Sequence, residues 1–178
     1  MEQKITSVMS KHYLYAVLSM LSGIILDQYT KYLAALHLKD QEPFIIIKGV
    51  FQLQYLENRG AAFGMMQNKQ YFFVIGALFV VFLLGWWYGK IPFTRHFLPV
   101  RICAVLICSG ALGNMIDRIF HQYVIDFFYF ELIDFPIFNV ADIYVVVACF
   151  LFVFLIFFYY KEEDFEMIIP KKKEQQTS

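Results

Sequence analysis

The sequence predicts an α-helical membrane protein with four transmembrane helices and a small extracytoplasmic β-sheet element after the first helix. The 178-residue chain is 60% hydrophobic, whereas soluble domains are about 45–50% apolar. Four apolar runs approach the roughly 20 residues that cross a bilayer. A polar segment after the first run alternates apolar and polar residues, as a half-buried strand does. The length allows a single domain.

The four runs place spans over about residues 13–33, 70–89, 97–117 and 140–160. The second is uncharged, the fourth is uncharged from Ile143 onward, and Arg101 is the only charge in the third before its last residue. Backbone polar groups in lipid must be paired within their own segment, so each run should be a helix. Lys4 and Lys11 before the first run also suit a cleaved signal peptide. A retained span is favoured because the run ends in polar residues and no small-x-small cleavage site follows.

Basic residues predict the orientation of the chain in the membrane. Segments 1–12, 90–101 and 161–178 hold nine of the 15 Lys and Arg residues, and the longer intervening segments hold six. The positive-inside rule therefore places both termini in the cytoplasm, with 161–178 as a cytoplasmic polar tail. The formal net charge is zero, so no global basic field indicates a nucleic-acid partner.

The first outer loop contains the predicted sheet. Residues 50–56 alternate with period two, and residues 44–47 can pair with them around Lys48 and Gly49. A turn of small residues follows at 58–64, where Gly60 and Gly64 allow unusual backbone angles or close approach. An ordinary tight loop is the alternative interpretation of this turn.

Polar residues also occur at the predicted outer ends of the first and third spans. Asp27 and Lys31 lie one helical turn apart, which favours an ion pair that braces the first span over direct chemistry. A second set shares one face of the third span, where small residues allow helix packing and an amide can hydrogen-bond across the interface. That set is Gly110, Gly113, Asn114, Asp117 and Arg118. A packing face that ends in a local Asp/Arg pair is the alternative.

Two aspartates bracket the connection between the third and fourth spans. Asp126 lies between Ile125 and Phe127, in a segment predicted to be a loop near lipid, and apolar surroundings raise the pKa of a carboxyl group. Asp142 falls in the first helical turn behind Asn139, where simple helix capping is the alternative role. Both aspartates should lie at one depth, where two carboxyl groups can share a proton and activate water. We expect Asp142 to be ionised and Asp126 to carry the proton.

Other chemistries fit the sequence less well. There is no H-E-x-x-H motif and no Cys/His metal-ligand spacing, so neither a metal nor a cofactor is expected. A transporter would carry its carboxylates near the midplane of the membrane. An enzyme acting on lipid phosphates would surround the anion with several Arg or Lys residues.

Five motifs together resemble the lipoprotein signal peptidase (signal peptidase II) family over residues 27–142. They are D-Q-x-T-K at Asp27, N-x-G-A-A-F-G at Asn58, G-A-L-G-N-x-x-D-R at Gly110, V-x-D-F at Val124 and F-N-x-A-D at Phe138. The chain departs from the family pattern at Ile143, where the family often has Ser. That difference removes one expected supporting hydrogen bond.

The resemblance implies a membrane aspartic endopeptidase with Asp126 and Asp142 as its catalytic pair. Such an enzyme removes signal peptides from diacylglyceryl-modified bacterial prolipoproteins, cleaves before the lipidated cysteine and uses no metal. Its implied partners are these prolipoproteins, membrane lipid and a cyclic peptide inhibitor such as globomycin. Its implied location is the bacterial cytoplasmic membrane, with the active site near the outer face. The implied substrate-binding or supporting residues are Asn58, Gly60, Asn114, Arg118, Asn139, Asp27, Lys31 and Asp117.

Overall fold

A computed structural model describes residues 2–60 and 69–168, with the backbone alone for residues 2–8. The helices in this part of the chain are α1 (Glu2–His37), α2 (Gln70–Tyr88), α3 (Leu98–Phe120), α4 (Val140–Phe154) and α5 (Glu162–Ile168). The strands are β1 (Phe44–Ile47), β2 (Phe51–Asn58) and β3 (Val124–Tyr129). A π-helical turn, Leu155–Tyr159, continues α4. Gly64 and the last ten residues of the predicted tail lie outside the described residues.

Among the described residues, three helices are long and apolar enough to cross a membrane. They are Gln70–Tyr88, Leu98–Phe120 and Val140–Tyr159, at the positions of the predicted second, third and fourth spans. Tyr71, Phe82 and Phe150 are each more than two-thirds exposed on them, as contact with lipid would require. Helix α1 has 36 residues, which is about 54 Å. Asp27 and Lys31 interrupt its apolar run, so the first span stays a prediction.

The predicted sheet after the first helix is confirmed. Strands β1 and β2 are antiparallel and joined by a tight turn in which Gly49 has a positive φ of 73°. The structure adds β3, which pairs with β2 in antiparallel register and places Leu56 opposite Asp126. The prediction that Asp126 lies in a loop is therefore wrong, because Asp126 lies in β3. The apolar segment around it gains backbone partners from a strand distant in sequence, which local periodicity does not reveal.

Helix α3 packs against α1, α2 and α4, and two of its glycines allow the close approach. A Cβ atom at Gly113 would lie 2.6 Å from a carboxylate oxygen of Asp27, and one at Gly110 would overlap the carbonyl of Ala141. The predicted packing face of α3 is thus confirmed. This packing brings the polar end of α3 beside α1 and the first turn of α4.

The larger apolar cluster lies toward the opposite end of the bundle. Phe97, just before α3, and Cys103 of α3 pack there with Ala148 of α4, Leu155 of the π-helical turn and Ile168 of α5. A smaller apolar cluster around Ala34, Ile125 and Phe127 lies between α1 and the sheet. The polar end of α3 therefore lies between the helical bundle and the sheet.

Candidate active site

Asp126 lies on β3 and is held by two amide side chains. Asn58 Nδ2, at the end of β2, donates to Asp126 Oδ2 at 2.8 Å. Asn139 Nδ2, just before α4, donates to Asp126 Oδ1 at 2.6 Å. Only 2% of Asp126 is exposed. Burial and the neighbouring charge of Asp142 raise the pKa of Asp126 to about 7, the direction expected from its apolar neighbours.

Asp142 is held in the first turn of α4. Asn139 N donates to Asp142 Oδ2 at 3.0 Å, and Asp142 N donates to Asn139 Oδ1 at 3.1 Å. This reciprocal capping box confirms the predicted capping role of Asn139. The other carboxylate oxygen of Asp142 accepts from Asn114 Nδ2 at 2.8 Å. Both carboxylate oxygens of Asp142 therefore accept hydrogen bonds at the start of α4.

Asn114 and Asn139 link the two aspartates through a continuous set of hydrogen bonds. Asn139 Nδ2 donates both to Asp126 and, at 3.1 Å, to Asn114 Oδ1. Asn114 Oδ1 also accepts from Lys31 Nζ at 2.8 Å. Because that oxygen faces an ammonium group, the amide nitrogen of Asn114 must face Asp142. The orientation of each amide is therefore determined by its partners.

Lys31 is the centre of a buried ion cluster beneath the aspartates. It is 1% exposed, and its Nζ lies 2.9 Å from Asp27 Oδ2 and 3.0 Å from Asp117 Oδ2. The ion pair predicted between Asp27 and Lys31 is confirmed. Asp117 is held by Lys31, so the local Asp117/Arg118 pair considered from sequence is not the main contact of this carboxylate. A buried lysine between two carboxylates joins α1 firmly to α3.

Gln28 belongs to the same cluster and was missed as a site residue. Its Nε2 donates to Asp117 Oδ1 at 2.9 Å and lies 3.2 Å from Asp27 Oδ2. The two carboxylates also bind backbone groups beside the aspartate pair: Ala141 N donates to Asp27 at 2.9 Å, and Ile125 N donates to Asp117 at 3.1 Å. The position of Gln28 within D-Q-x-T-K was the signal that pointed to it. The cluster thus holds β3 and the start of α4 in place.

Arg118 reaches from α3 to the turn after β2. Its Nη2 donates to the carbonyl of Gly60 at 3.3 Å, and its guanidinium lies 4.7 Å from the ring centre of Phe73. Gly60 N in turn donates to Asn58 Oδ1 at 3.0 Å, which fixes the amide that holds Asp126. Within the described part of the chain, Arg118 Nε is buried and has no hydrogen-bond partner. A group bound beside it would gain a charged donor.

A cavity of about 910 Å³ opens over both aspartates. Its polar end includes the two carboxyl groups together with Asn58, Asn114 and Arg118. Its remaining wall is mainly apolar and includes Phe130, Ile133, Phe135, Phe138, Ile143 and Val146. Among the side chains that the structure describes, in residues 9–60 and 69–168, no three of His, Cys, Asp or Glu converge as metal ligands. A cavity of this size and character suits an apolar molecule whose polar group reacts at one end.

The family model of signal peptidase (SPase) II matches residues 19–158. The chain belongs to the signal peptidase II family. Among its relatives, the lipoprotein signal peptidase of Clostridium tetani is 44% identical over 137 residues, which are 75% of this chain and 86% of that protein. The corresponding protein of Clostridioides difficile is 43% identical over 133 residues, or 74% and 88% of the two chains.

A solved bacterial membrane enzyme, determined by the in meso method at 2.3 Å resolution, has a similar fold. Its TM-score is 0.70 at 28% sequence identity, and the match covers 90% of this chain and 93% of the other. The predicted resemblance to signal peptidase II is therefore confirmed. The chain is a membrane protease of bacterial lipoprotein processing.

In this signal peptidase II chain, the described residues of the five sequence motifs meet at one place. The residues that the sequence singled out fall into three groups: the aspartate pair, the amides and turn around it, and the buried ion cluster below it. They are Asp126 and Asp142; Asn58, Gly60, Asn114, Arg118 and Asn139; and Asp27, Lys31 and Asp117.

Proposed function

We propose that this signal peptidase II is an aspartic endopeptidase that cleaves prolipoproteins before the lipid-modified cysteine, with Asp126 and Asp142 as its catalytic pair. One observation carries the proposal. Two carboxyl groups, joined through the amides of Asn114 and Asn139, line one cavity whose other walls are largely apolar. An acid and a base beside an apolar cavity suit hydrolysis of a peptide that carries acyl chains.

The proposed reaction uses Asp142 as base and Asp126 as acid. Asp142 takes a proton from the attacking water while Asp126 donates its proton to the oxygen of the scissile carbonyl, and the water oxygen bonds to carbon. In the second step the diol returns a proton to Asp126. Asp142 then protonates the leaving nitrogen as the carbon–nitrogen bond breaks. Both carboxyl groups end in their starting states.

The surrounding residues position this pair. A protonated carboxyl oxygen keeps a lone pair, so Asp126 can accept from Asn58 and Asn139 while its proton is directed elsewhere. We assign the buried ion cluster a supporting role, because its carboxylates bind backbone N–H groups next to each aspartate. Arg118 Nε and the turn at Gly60 are assigned to the substrate backbone. Acyl chains and the signal peptide would occupy the apolar wall, where a cyclic peptide inhibitor of the globomycin kind would compete.

The proposal includes the topology that the basic residues predict. It has four spans, both termini in the cytoplasm and the sheet with the active site at the outer face. Single cysteines at Thr94 and Gln52, in a chain without its native cysteines, test this with an impermeant thiol reagent on intact spheroplasts. We expect labelling at position 52 only. Labelling at position 94 alone would show that the chain has the opposite orientation in the membrane.

Mass spectrometry of a lipidated prolipoprotein incubated with purified protein in detergent tests the activity. The wild type should remove a mass equal to the signal peptide. Asp126→Asn and Asp142→Asn should each lower the rate at least about 10²–10⁴-fold, because the amide keeps the shape but transfers no proton. Asp40→Asn is the matched control. Asp40 is exposed and has a positive φ of 58°, which Asn tolerates equally well. Substantial cleavage by either site variant at normal protein level would refute the assignment.

A further inference from the structure

A second cavity, of about 460 Å³, lies between α1 and α3 and is separate from the aspartate site. Its wall is mostly small or apolar and includes Ala16 and Gly23 of α1 and Val105 and Leu106 of α3. Arg101, in the second turn of α3, lines the same cavity. It lies about 20 Å along α3 from Asn114, so this arginine and the aspartate pair are at opposite ends of the helix.

Arg101 is buried without enough partners. It is 2% exposed, and its Nε and Nη1 have no hydrogen-bond partner among the described residues. Nη2 lies 3.3 Å from His12 Nδ1, and the guanidinium lies 4.7 Å from the ring centre of Phe93. No carboxylate in the described part of the chain forms an ion pair with it. A buried charge with two free donors is costly unless an anion binds it.

The dimensions of the cavity indicate what kind of anion would bind beside Arg101. The α3 residues that line it run from Leu98 to Ser109, which is about 16 Å of helix. That length is close to half of the roughly 30 Å hydrocarbon thickness of a bilayer. The cationic group lies toward one end, and the wall beyond it is mainly apolar. A phospholipid of one leaflet has this same order of groups, with a charged phosphate followed by an acyl chain.

We propose that this cavity binds an anionic phospholipid of the leaflet opposite the aspartate pair. The guanidinium of Arg101, whose Nε and Nη1 lack partners among the described residues, donates a charge-assisted hydrogen bond to the phosphate. One acyl chain lies along the groove between α1 and α3. With the topology proposed above, this is the cytoplasmic leaflet, but the binding itself does not depend on the proteolytic mechanism.

Native mass spectrometry of protein released from nanodiscs tests the proposal. Wild-type protein in phosphatidylglycerol nanodiscs should retain one lipid, and in phosphatidylcholine nanodiscs it should retain much less. Arg101→Met should weaken retention of phosphatidylglycerol about tenfold or more, because a charge-assisted contact is lost. Arg95→Met is the matched control, since Arg95 precedes the same helix but is exposed. It should retain lipid as the wild type does.

A second pair of variants keeps the test valid if Arg101→Met does not fold. Ser19 is exposed and lines the groove, so Ser19→Phe should displace the lipid with the charge intact. Leu18→Phe adds a ring at the preceding position, which does not line the groove, and should leave the lipid bound. Inorganic phosphate in excess should leave the lipid bound. Equal retention by Ser19→Phe and the wild type, no preference for phosphatidylglycerol, or displacement by inorganic phosphate would overturn the proposal.

Discussion

Replacing Asp126 with Asn should change the stability of the protein in opposite directions at low and high pH. Asp126 is nearly inaccessible to solvent, and burial together with the charge of Asp142 raises its pKa from 3.8 to about 7. A raised carboxyl pKa means that the folded protein binds this proton more tightly than the unfolded chain does. The folded state is therefore penalised once the pH is high enough to remove the proton.

The size of this penalty follows from the pKa shift. A shift from 3.8 to about 7, at 1.36 kcal/mol per unit, corresponds to about 4 kcal/mol. Below about pH 4 the group is protonated in both states, and no stability is lost. Between about pH 4 and pH 7 the free energy of unfolding falls as the pH rises, and above about pH 7 the whole penalty applies. An asparagine does not titrate, so the variant avoids it.

The substitution also has a cost that does not depend on pH. Both carboxyl oxygens of Asp126 accept from amide nitrogens, one of Asn58 and one of Asn139. An asparagine would place its own N–H₂ group against one of these donors and lose that hydrogen bond, at about 1–2 kcal/mol. The variant should therefore be less stable by about 1–2 kcal/mol near pH 4 and more stable by about 2–3 kcal/mol near pH 8.

Reversible unfolding in mixed detergent micelles, followed by far-UV circular dichroism across this pH range, measures the difference. Asp40→Asn serves as the control, because an exposed aspartate should give a difference that stays within about 0.5 kcal/mol. Other buried carboxylates are common to wild type and variant and cancel in the comparison. If the difference between wild type and Asp126→Asn were independent of pH, the assignment of the proton to Asp126 would fail.

Three further outcomes test the buried cluster, the helix packing and the catalytic pair. Lys31→Met should destabilise the protein by about 3–5 kcal/mol because two buried carboxylates lose their cation. Lys39→Met, which removes a surface ion pair with Glu57, should cost at most about 1 kcal/mol. Equal losses of stability in the two variants would contradict the buried cluster. Gly113→Ala should lower the free energy of unfolding by about 1–3 kcal/mol through overpacking. Gly76→Ala, where a Cβ meets nothing within 4 Å, should not destabilise the protein. Denaturation midpoints of the two variants measure the difference. The cleavage rate should be bell-shaped in pH, with an alkaline limb near the Asp126 pKa of about 7, and a rate that only rises to a plateau would exclude a shared proton.

Features that depend on neighbouring residues of the chain could be predicted from the sequence. Composition indicated lipid as the solvent, and uninterrupted apolar runs predicted the helices that follow the first loop. The Asp27/Lys31 spacing predicted their ion pair, and the position of Asn139 before an apolar run predicted its capping role. Each of these depends on helical periodicity, which local spacing encodes directly.

Other features were decided only by how distant segments pack. Strand β3 forms because β2 offers it a backbone edge, and this pairing carries Asp126 to Asn58, which lies 68 residues earlier. Gln28 becomes part of the ion cluster only because α3 packs against α1 closely enough for it to reach Asp117. The pKa of Asp126 likewise depends on burial and on the charge of Asp142. Such partners arise from the three-dimensional approach of separate elements, and the spacing of residues along one element contains no information about that approach.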